Sequence, residues 1–296
     1  MTFGPRTIAG GLVAIGLLLG RQVDPPQVAP LRYGDAVVLA VDFHVHSFPG
    51  DGSLAPWDLA AEARRRGLDA IALTNHNHRL QWIVMQALAL HPDGALLIRG
   101  EELTSVGYHM AVAGTERNVD WRQAAAEAVA RIHDEGGIAI AAHPAGKGTT
   151  GFDDRAIDLV DGVEVAHPLI YFFEDGRRDL ARFYARAKAR RPAIAAIGST
   201  DFHNFAPVGF CRTFVFARER SVPAILDAVR RGATVACDAS GITYGPDHLS
   251  AVVADACRAA AGAPAIAGTW TDSAGMWLVW FGLLALVLLG PRETIA

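Results

Sequence analysis

Two histidines one residue apart at the end of an apolar run, Asp42-Phe43-His44-Val45-His46, constrain this chain more than any other feature. Strand side chains alternate with period two, so an H-x-H pair on a strand turns both imidazoles to one face. Two other segments close apolar runs of strand character: Ala142-His143-Pro144 and Ser199-Thr200-Asp201-Phe202-His203. Asp201 and His203 repeat the spacing with a carboxylate and an imidazole. Three such strand ends, far apart in sequence, point to a metal site assembled by a barrel or a sheet.

At 296 residues the chain can bury a large core, as one large domain or two small ones. A net charge of −4 argues against a basic face for nucleic acid, so no nucleic-acid partner is expected. Cys211, Cys237 and Cys257 show no C-x-x-C spacing. They read as packing residues rather than a disulfide scaffold or a thiolate zinc site. Any metal is then bound by nitrogen and oxygen.

Both ends are more apolar than the middle. Ile8 to Gly20 lies between Arg6 and Arg21, and Met276 to Gly290 contains Trp277, Trp280 and Phe281. A bilayer span needs roughly 20 apolar residues. We expect an N-terminal membrane anchor or signal at 1–21 and a C-terminal transmembrane helix at 274–291, with buried terminal helices as the alternative. A Pro-rich spacer at 22–35 and a linker at 263–273 flank a catalytic domain at 36–262. Arg6, Arg292 and Asp272 favour tails inside and a membrane-anchored, extracytoplasmic catalytic domain, with membrane lipid as a partner of the terminal helices.

Strand and helix signals alternate between residues 36 and 240. Helical segments are read at 56–66, 79–90, 120–135, 174–190 and 222–231, with strands between them. Apolar strands separated by helices favour an α/β fold with a parallel sheet covered on both faces. The candidate ligands sit just after strands, and in a (β/α) barrel the C-terminal strand ends form the functional face. Ligands scattered in sequence but matched in strand position then meet in space.

D-x-H-x-H-S at 42–47, Asp51-Gly52, Thr74-x-His76-Asn77, Gly100-Glu101, the lone His109, Ala142-His143-Pro144 and Ser199-x-Asp201-x-His203 resemble the PHP (polymerase and histidinol phosphatase) superfamily. The likeness runs through residues 41–240. Gly162-Val163-Glu164-Val165 and the 198–203 segment are similar to the branch that includes carbaryl-hydrolase-type enzymes. The resemblance implies a distorted (β/α)7 barrel with two or three divalent metal ions. His44, His46, Glu101 and Asp201 would hold one metal. Glu101 would bridge to a second, held by His109 and His143, and Asp51, His76 and His203 would hold the third. Glu102 is the register rival of Glu101; Glu101 is preferred because it follows Gly100 directly. The family commonly has T-D-H where this chain has Thr74-Asn75-His76, which removes a proton acceptor beside His76.

Imidazole and carboxylate suit zinc, manganese or iron alike. A water between two cations becomes a hydroxide near neutral pH, so no Ser or Cys nucleophile is needed. The expected activity is that of a metal-dependent hydrolase, a phosphoesterase acting on a small phosphorylated ester. A carboxyl- or carbamate-ester hydrolase and a non-catalytic metal-binding domain are the alternatives. His167, after a strand, Lys147, in the Gly-rich loop after His143, and Arg212, at a strand start, are candidates for binding substrate.

Overall fold

The computed structural model describes residues 4–19, 31–87, 89–90, 94–145, 149–169, 175–204, 206–262 and 269–289. The chain divides into two compact units, Pro26–Ala263 and a unit formed from Met1–Pro25 with Pro264–Ala296.

In the larger unit the strands are β1 (Arg32–Tyr33), β2 (Ala36–Val45), β3 (Ala70–Leu73), β4 (Leu96–Thr104), β5 (His109–Ala113), β6 (Ile138–Ala141), β7 (Gly162–Ala166), β8 (Ala195–Gly198), β9 (Arg212–Ala217), β10 (Thr234–Cys237) and β11 (Thr243–Tyr244). One sheet joins them in the order β11-β10-β9-β2-β3-β4-β5-β6-β7-β8, with β1 on the flank of β2. β8 lies beside β10, so the sheet is rolled into a nearly closed barrel. The expected all-parallel sheet is not what forms. β5 runs antiparallel to β4 and β6, and β9 antiparallel to β2 and β10. These reversals matter to the site, because His109 at the start of β5 then shares an end of the barrel with the C-termini of β2, β3, β4, β6, β7 and β8.

The helices are α2 (Pro56–Arg65), α3 (Leu80–Ala87), α4 (Ala125–Asp134), α5 (Asp154–Leu159), α6 (Gly176–Arg190), α7 (Val222–Arg230) and α8 (Asp247–Gly262), following α1 (Pro5–Leu19) of the smaller unit. Local chemistry starts them: Pro56 stands in the first turn of α2, Asp153 caps α5 through the amide of Ala156, and Ser221 caps α7 through Ala224. Alternating strand residues then separate two packed layers. Ile98, Ala111, Ile138, Ile140 and Ile197 pack in one cluster with Val41 and Phe43. Leu103, Met110, Val112, Ala139 and Val163 pack outward against Val129 and Ile132 of α4.

Asp42 ties the ends of the strands together. Its Oδ1 accepts the backbone N–H of Thr200 at 3.0 Å and of His44 at 3.2 Å, and its Oδ2 accepts that of Gly209 at 2.9 Å. The carboxyl is fully buried; burial lifts its pKa to about 6 against the lowering by these donors. The 199–203 segment is thereby held against the end of β2, where His46 N–H donates to Phe202 O at 2.9 Å.

Two expectations fail here. Among the described residues no helix is long and apolar enough to cross a membrane. That overturns the anchors at 1–21 and 274–291, the lipid partner and the membrane-anchored placement built on them. α1 has 15 residues, short of a span, and the C-terminal helix α9 (Thr269–Leu288) has 20 but opens on the sequence Thr-Trp-Thr-Asp-Ser. Within their own unit these two helices pack together, with Arg6 Nε donating to Leu289 O at 2.7 Å. The spacer read at 22–35 already contains strand β1; its residues 22–30, and 263–268 of the linker, lie outside the described residues. The cysteines also depart from expectation. Cys237 at the end of β10 and Cys257 in α8 form a disulfide over a separation of 20 residues, and only Cys211 is a buried free thiol.

Two outcomes test this description. Asp42→Ala strands three buried N–H groups at about 1–3 kcal/mol each, so chemical denaturation should show a loss of roughly 3 kcal/mol or more; a loss under about 1 kcal/mol contradicts the hub role. Cys257→Ala opens a loop whose closure is worth about 3 kcal/mol, and a variant melting with the parent would show that the bridge contributes nothing.

Candidate metal centre

Eleven ionisable side chains meet at one end of the barrel. His44 and His46 close β2, where the pairing with β3 shifts register between Asp42 and Val45. His76 follows β3 and is bridged in parallel to Glu102 of β4. His109 opens β5, His143 follows β6, Glu164 and His167 come from β7 and its end, and Asp201 and His203 follow β8. Asp51 arrives from the β2–α2 loop. His143 and Asp201 have φ values of 28° and 52°, the left-handed region that costs a non-glycine residue of order 1 kcal/mol or more. The His143 turn is held through its amide by Glu164 Oε2 at 2.6 Å.

Four donor groups can be read from the distances. His44 Nε2, His46 Nε2, Glu102 and Asp201 form the most buried one. Asp201 Oδ1 is 3.2 Å from His44 Nε2 and 3.1 Å from His46 Nε2, and Glu102 Oε2 is 3.4 Å from each. The two imidazole nitrogens face each other at 3.2 Å. Four donors around a tetrahedral cation with bonds near 2.1 Å stand about 3.4 Å apart, so the spacing fits one ion. Glu102 Oε2 also lies 2.6 Å from His76 Nδ1, yet neither it nor Asp201 Oδ1 has a well-aligned hydrogen bond, although both are buried. Buried carboxylate oxygens require a partner, and a cation supplies it. The donor set therefore fits a divalent metal.

Glu102 also serves the second group through its other oxygen: Oε1 lies 2.7 Å from His109 Nδ1 and 3.2 Å from His143 Nε2. The third group is more open. Asp51 Oδ1 lies 3.1 Å from His46 Nδ1, and Asp51 Oδ2 lies 3.2 Å from His76 Nε2 and 3.1 Å from His203 Nε2. His44, His143 and His167 make the fourth.

The electrostatics are those of a site built around positive charge. Burial alone would lower the pKa of His46, but Asp201, Asp51 and Glu102 outweigh it and lift the imidazole to about 10. His44 is likewise raised, against its burial, by Asp201, Glu164 and Glu102. Burial would raise Glu102 and Asp201, yet the surrounding histidines hold both well below the carboxylate range. A bound cation competes for these sites with protons.

Eight of the nine expected ligands join the cluster: His44, His46, Asp51, His76, His109, His143, Asp201 and His203. Glu101 does not. Its Oε1 takes the amide of Val119 at 2.8 Å and Arg79 Nη2 at 3.1 Å, on the helix side of β4. Arg79 is held in turn by the carbonyl and hydroxyl of Thr115. Period two decides the matter. Glu102 shares the inward parity of Ile98 and Gly100, whereas Glu101 shares that of Arg99 and Leu103. The charged Arg99, about a third exposed, is the signal in the sequence that this parity faces outward.

The substrate candidates fare unequally. Lys147 lies outside the described residues. Arg212 is committed to the scaffold: its Nη1 donates to Arg66 O at 3.0 Å, and its Nε and Nη2 to Gly209 O at 3.1 and 2.9 Å. Burial lowers its pKa to about 10. His167 does reach the cluster, with Nε2 3.6 Å from Asp201 Oδ2. Its Nδ1 accepts the amide of Leu169 at 3.2 Å, so the neutral ring carries its hydrogen on Nε2. In that tautomer Nε2 faces the cluster as an N–H with no hydrogen bond of its own.

Asn75, the departure beside His76, turns away from the cluster. Its Nδ2 donates to Ser47 O at 2.7 Å and Pro49 O at 3.1 Å, and its Oδ1 accepts the amide of Ser47 at 3.0 Å. It fastens the loop that delivers Asp51, and an aspartate could not donate to those two carbonyls.

No family model matches the chain. An uncharacterized protein of Methanocaldococcus jannaschii is 28% identical over 142 residues, covering 43% of this chain and 81% of that protein. Among solved structures, a two-domain protein of Bacteroides vulgatus containing a predicted PHP-like metal-dependent phosphoesterase is similar with a TM-score of 0.59 and 25% identity, over 78% of this chain and 73% of that one. PsfC from Pseudomonas syringae shares the fold with a TM-score of 0.51 and 19% identity, over 75% of this chain and 98% of that one.

The two adjacent glutamates give a direct test. Glu102→Gln should lower bound metal and cut hydrolysis by more than the about 10–100-fold typical of losing an outer partner, with the fold intact by circular dichroism. Glu101→Gln should keep its metal and lose about 3 kcal/mol of stability, because Arg79 is left buried without its carboxylate. The reverse pattern would restore Glu101 to the site.

Proposed function

We propose that this chain, with its PHP-like fold, is a metal-dependent phosphoesterase working through a cluster of two or three divalent cations. Two things support the broader class of metal-dependent hydrolase: the resemblance to PHP-like proteins, and the donor groups that share one barrel end. The observation that carries the reading is the convergence of buried carboxylate oxygens of Glu102 and Asp201 with the Nε2 atoms of His44 and His46, each nitrogen lying 3.1–3.4 Å from both oxygens and 3.2 Å from the other nitrogen.

In this reading His44, His46, Glu102 and Asp201 hold one cation; Glu102, His109 and His143 a second; Asp51, His76 and His203 a third. Bound cations would supply an acidified water as nucleophile and positive charge for the phosphoryl oxygens. Glu102 places two donor groups side by side through its two oxygens. His167 stands behind the cluster, its Nε2 3.6 Å from Asp201 Oδ2. The exposed side of the third group, where Asp51 and His76 are about four-tenths exposed, is the side from which a small phosphorylated ester enters.

Purified protein stripped of metal should hydrolyse p-nitrophenyl phosphate at under about 1% of the rate restored by manganese or zinc. Elemental analysis after reconstitution should find two or three ions per chain. Fewer than two ions with no stimulation by either metal would sink the reading. Faster turnover of p-nitrophenyl acetate than of the phosphate esters would move the activity to carboxyl esters.

A further inference from the structure

We propose that Glu164 is a positioning residue that sets two ligands at once: it fixes the nitrogen that His44 presents to the cluster, and it holds the turn from which His143 enters. The inference rests on the metal reading above and concerns a residue outside the donor groups. Glu164 lies in the middle of β7 and is fully buried. Its Oε1 stands 3.0 Å from His44 Nδ1, and its Oε2 accepts the backbone N–H of His143 at 2.6 Å.

A carboxylate only accepts hydrogen bonds, so His44 Nδ1 carries a hydrogen. The other nitrogen, Nε2, then offers its lone pair to the point between Asp201 Oδ1 and Glu102 Oε2. Without Glu164 the hydrogen could sit on Nε2 and block that approach. The second oxygen acts on the backbone. His143 adopts φ 28°, a conformation that needs holding, and its amide is taken by Glu164. His44 belongs to the most buried donor group and His143 to the second. One carboxylate from β7 therefore aligns strands β2 and β6 for two different cations. His167 Nε2 is 3.8 Å from Oε2, too far to compete for it.

Glu164→Gln separates this role from simple packing. The substituted amide has the same size but one acceptor oxygen. If that oxygen keeps the His143 amide, the NH2 group faces His44 Nδ1 and drives the ring hydrogen to Nε2. Zinc titration against a chromophoric chelator should then show about 10–100-fold weaker binding of one ion. In the zinc-loaded parent, nitrogen-15 spectra of labelled histidine should show His44 protonated at Nδ1 and metal-bound through Nε2; in the variant that pattern should be lost. A folded variant that binds zinc within twofold of the parent overturns the proposal, as does a parent spectrum with His44 bound through Nδ1. If the variant does not fold, the parent spectrum alone decides. If the parent takes up no zinc, the metal reading itself fails. A low-field Nδ1 proton in the metal-free parent still supports the hold of Glu164 on His44, and its absence overturns it.

Discussion

Everything at the open end of the barrel depends on one unpaid charge, the carboxylate of Glu102. It is fully buried, one oxygen is flanked by His109 and His143, and the other meets His76 Nδ1 at 2.6 Å and faces His44 and His46 at 3.4 Å. A lone carboxylate in such a place costs several kcal/mol or takes up a proton. The histidines around it offset that cost in the absence of metal by holding protons themselves. A cation would offset it more completely, because the donors are already spaced for one. The converging strands and the left-handed turn at His143 bring imidazoles to that carboxylate, while the turn at Asp201 and the loop bearing Asp51 add carboxylates that share the same histidines.

Much of this was legible in the sequence because a strand has period two and a barrel gathers its strand ends. H-x-H, A-H-P and S-x-D-x-H each state a side-chain direction as well as a residue type, so their meeting point follows from the fold. The choice between Glu101 and Glu102 needed one more piece of parity, available from Arg99, and adjacency to Gly100 was a poorer guide. Glu164 was passed over for a different reason. Its segment was read as a family marker, and nothing in Gly162-Val163-Glu164-Val165 names its partners, which are 120 and 21 residues away. Long-range hydrogen bonds of this kind leave no local pattern.

The errors at the chain ends and at the cysteines share a cause. Apolar runs say that a helix buries something, not what it buries. Here the two terminal helices pack on each other within one unit, and length and composition together fall short of a span. Cysteine spacing is equally silent about pairing when the partners come from a strand and a helix. β10 is a four-residue strand with little pattern of its own, so nothing in the sequence gives Cys237 a position from which to reach Cys257. Arg212 looked like a substrate group because it stands near Asp201 in sequence. In the fold it spends its donors on the carbonyls of Arg66 and Gly209.

The cluster is held by groups that touch no cation. Asp42 fixes the 199–203 segment, Asn75 fastens the Asp51 loop, Glu164 governs His44 and His143, and the carbonyl of Asp201 takes His203 Nδ1 at 3.0 Å. Each supplies hydrogen bonds made entirely between the protein's own groups. Preorganisation of this sort reduces the ordering that binding must bring about. It also explains why Asn75 can replace the acid common in the resembling family. The position faces two carbonyls rather than the cluster, and an amide, which both donates and accepts, matches that surrounding where a carboxylate would leave both carbonyls unserved.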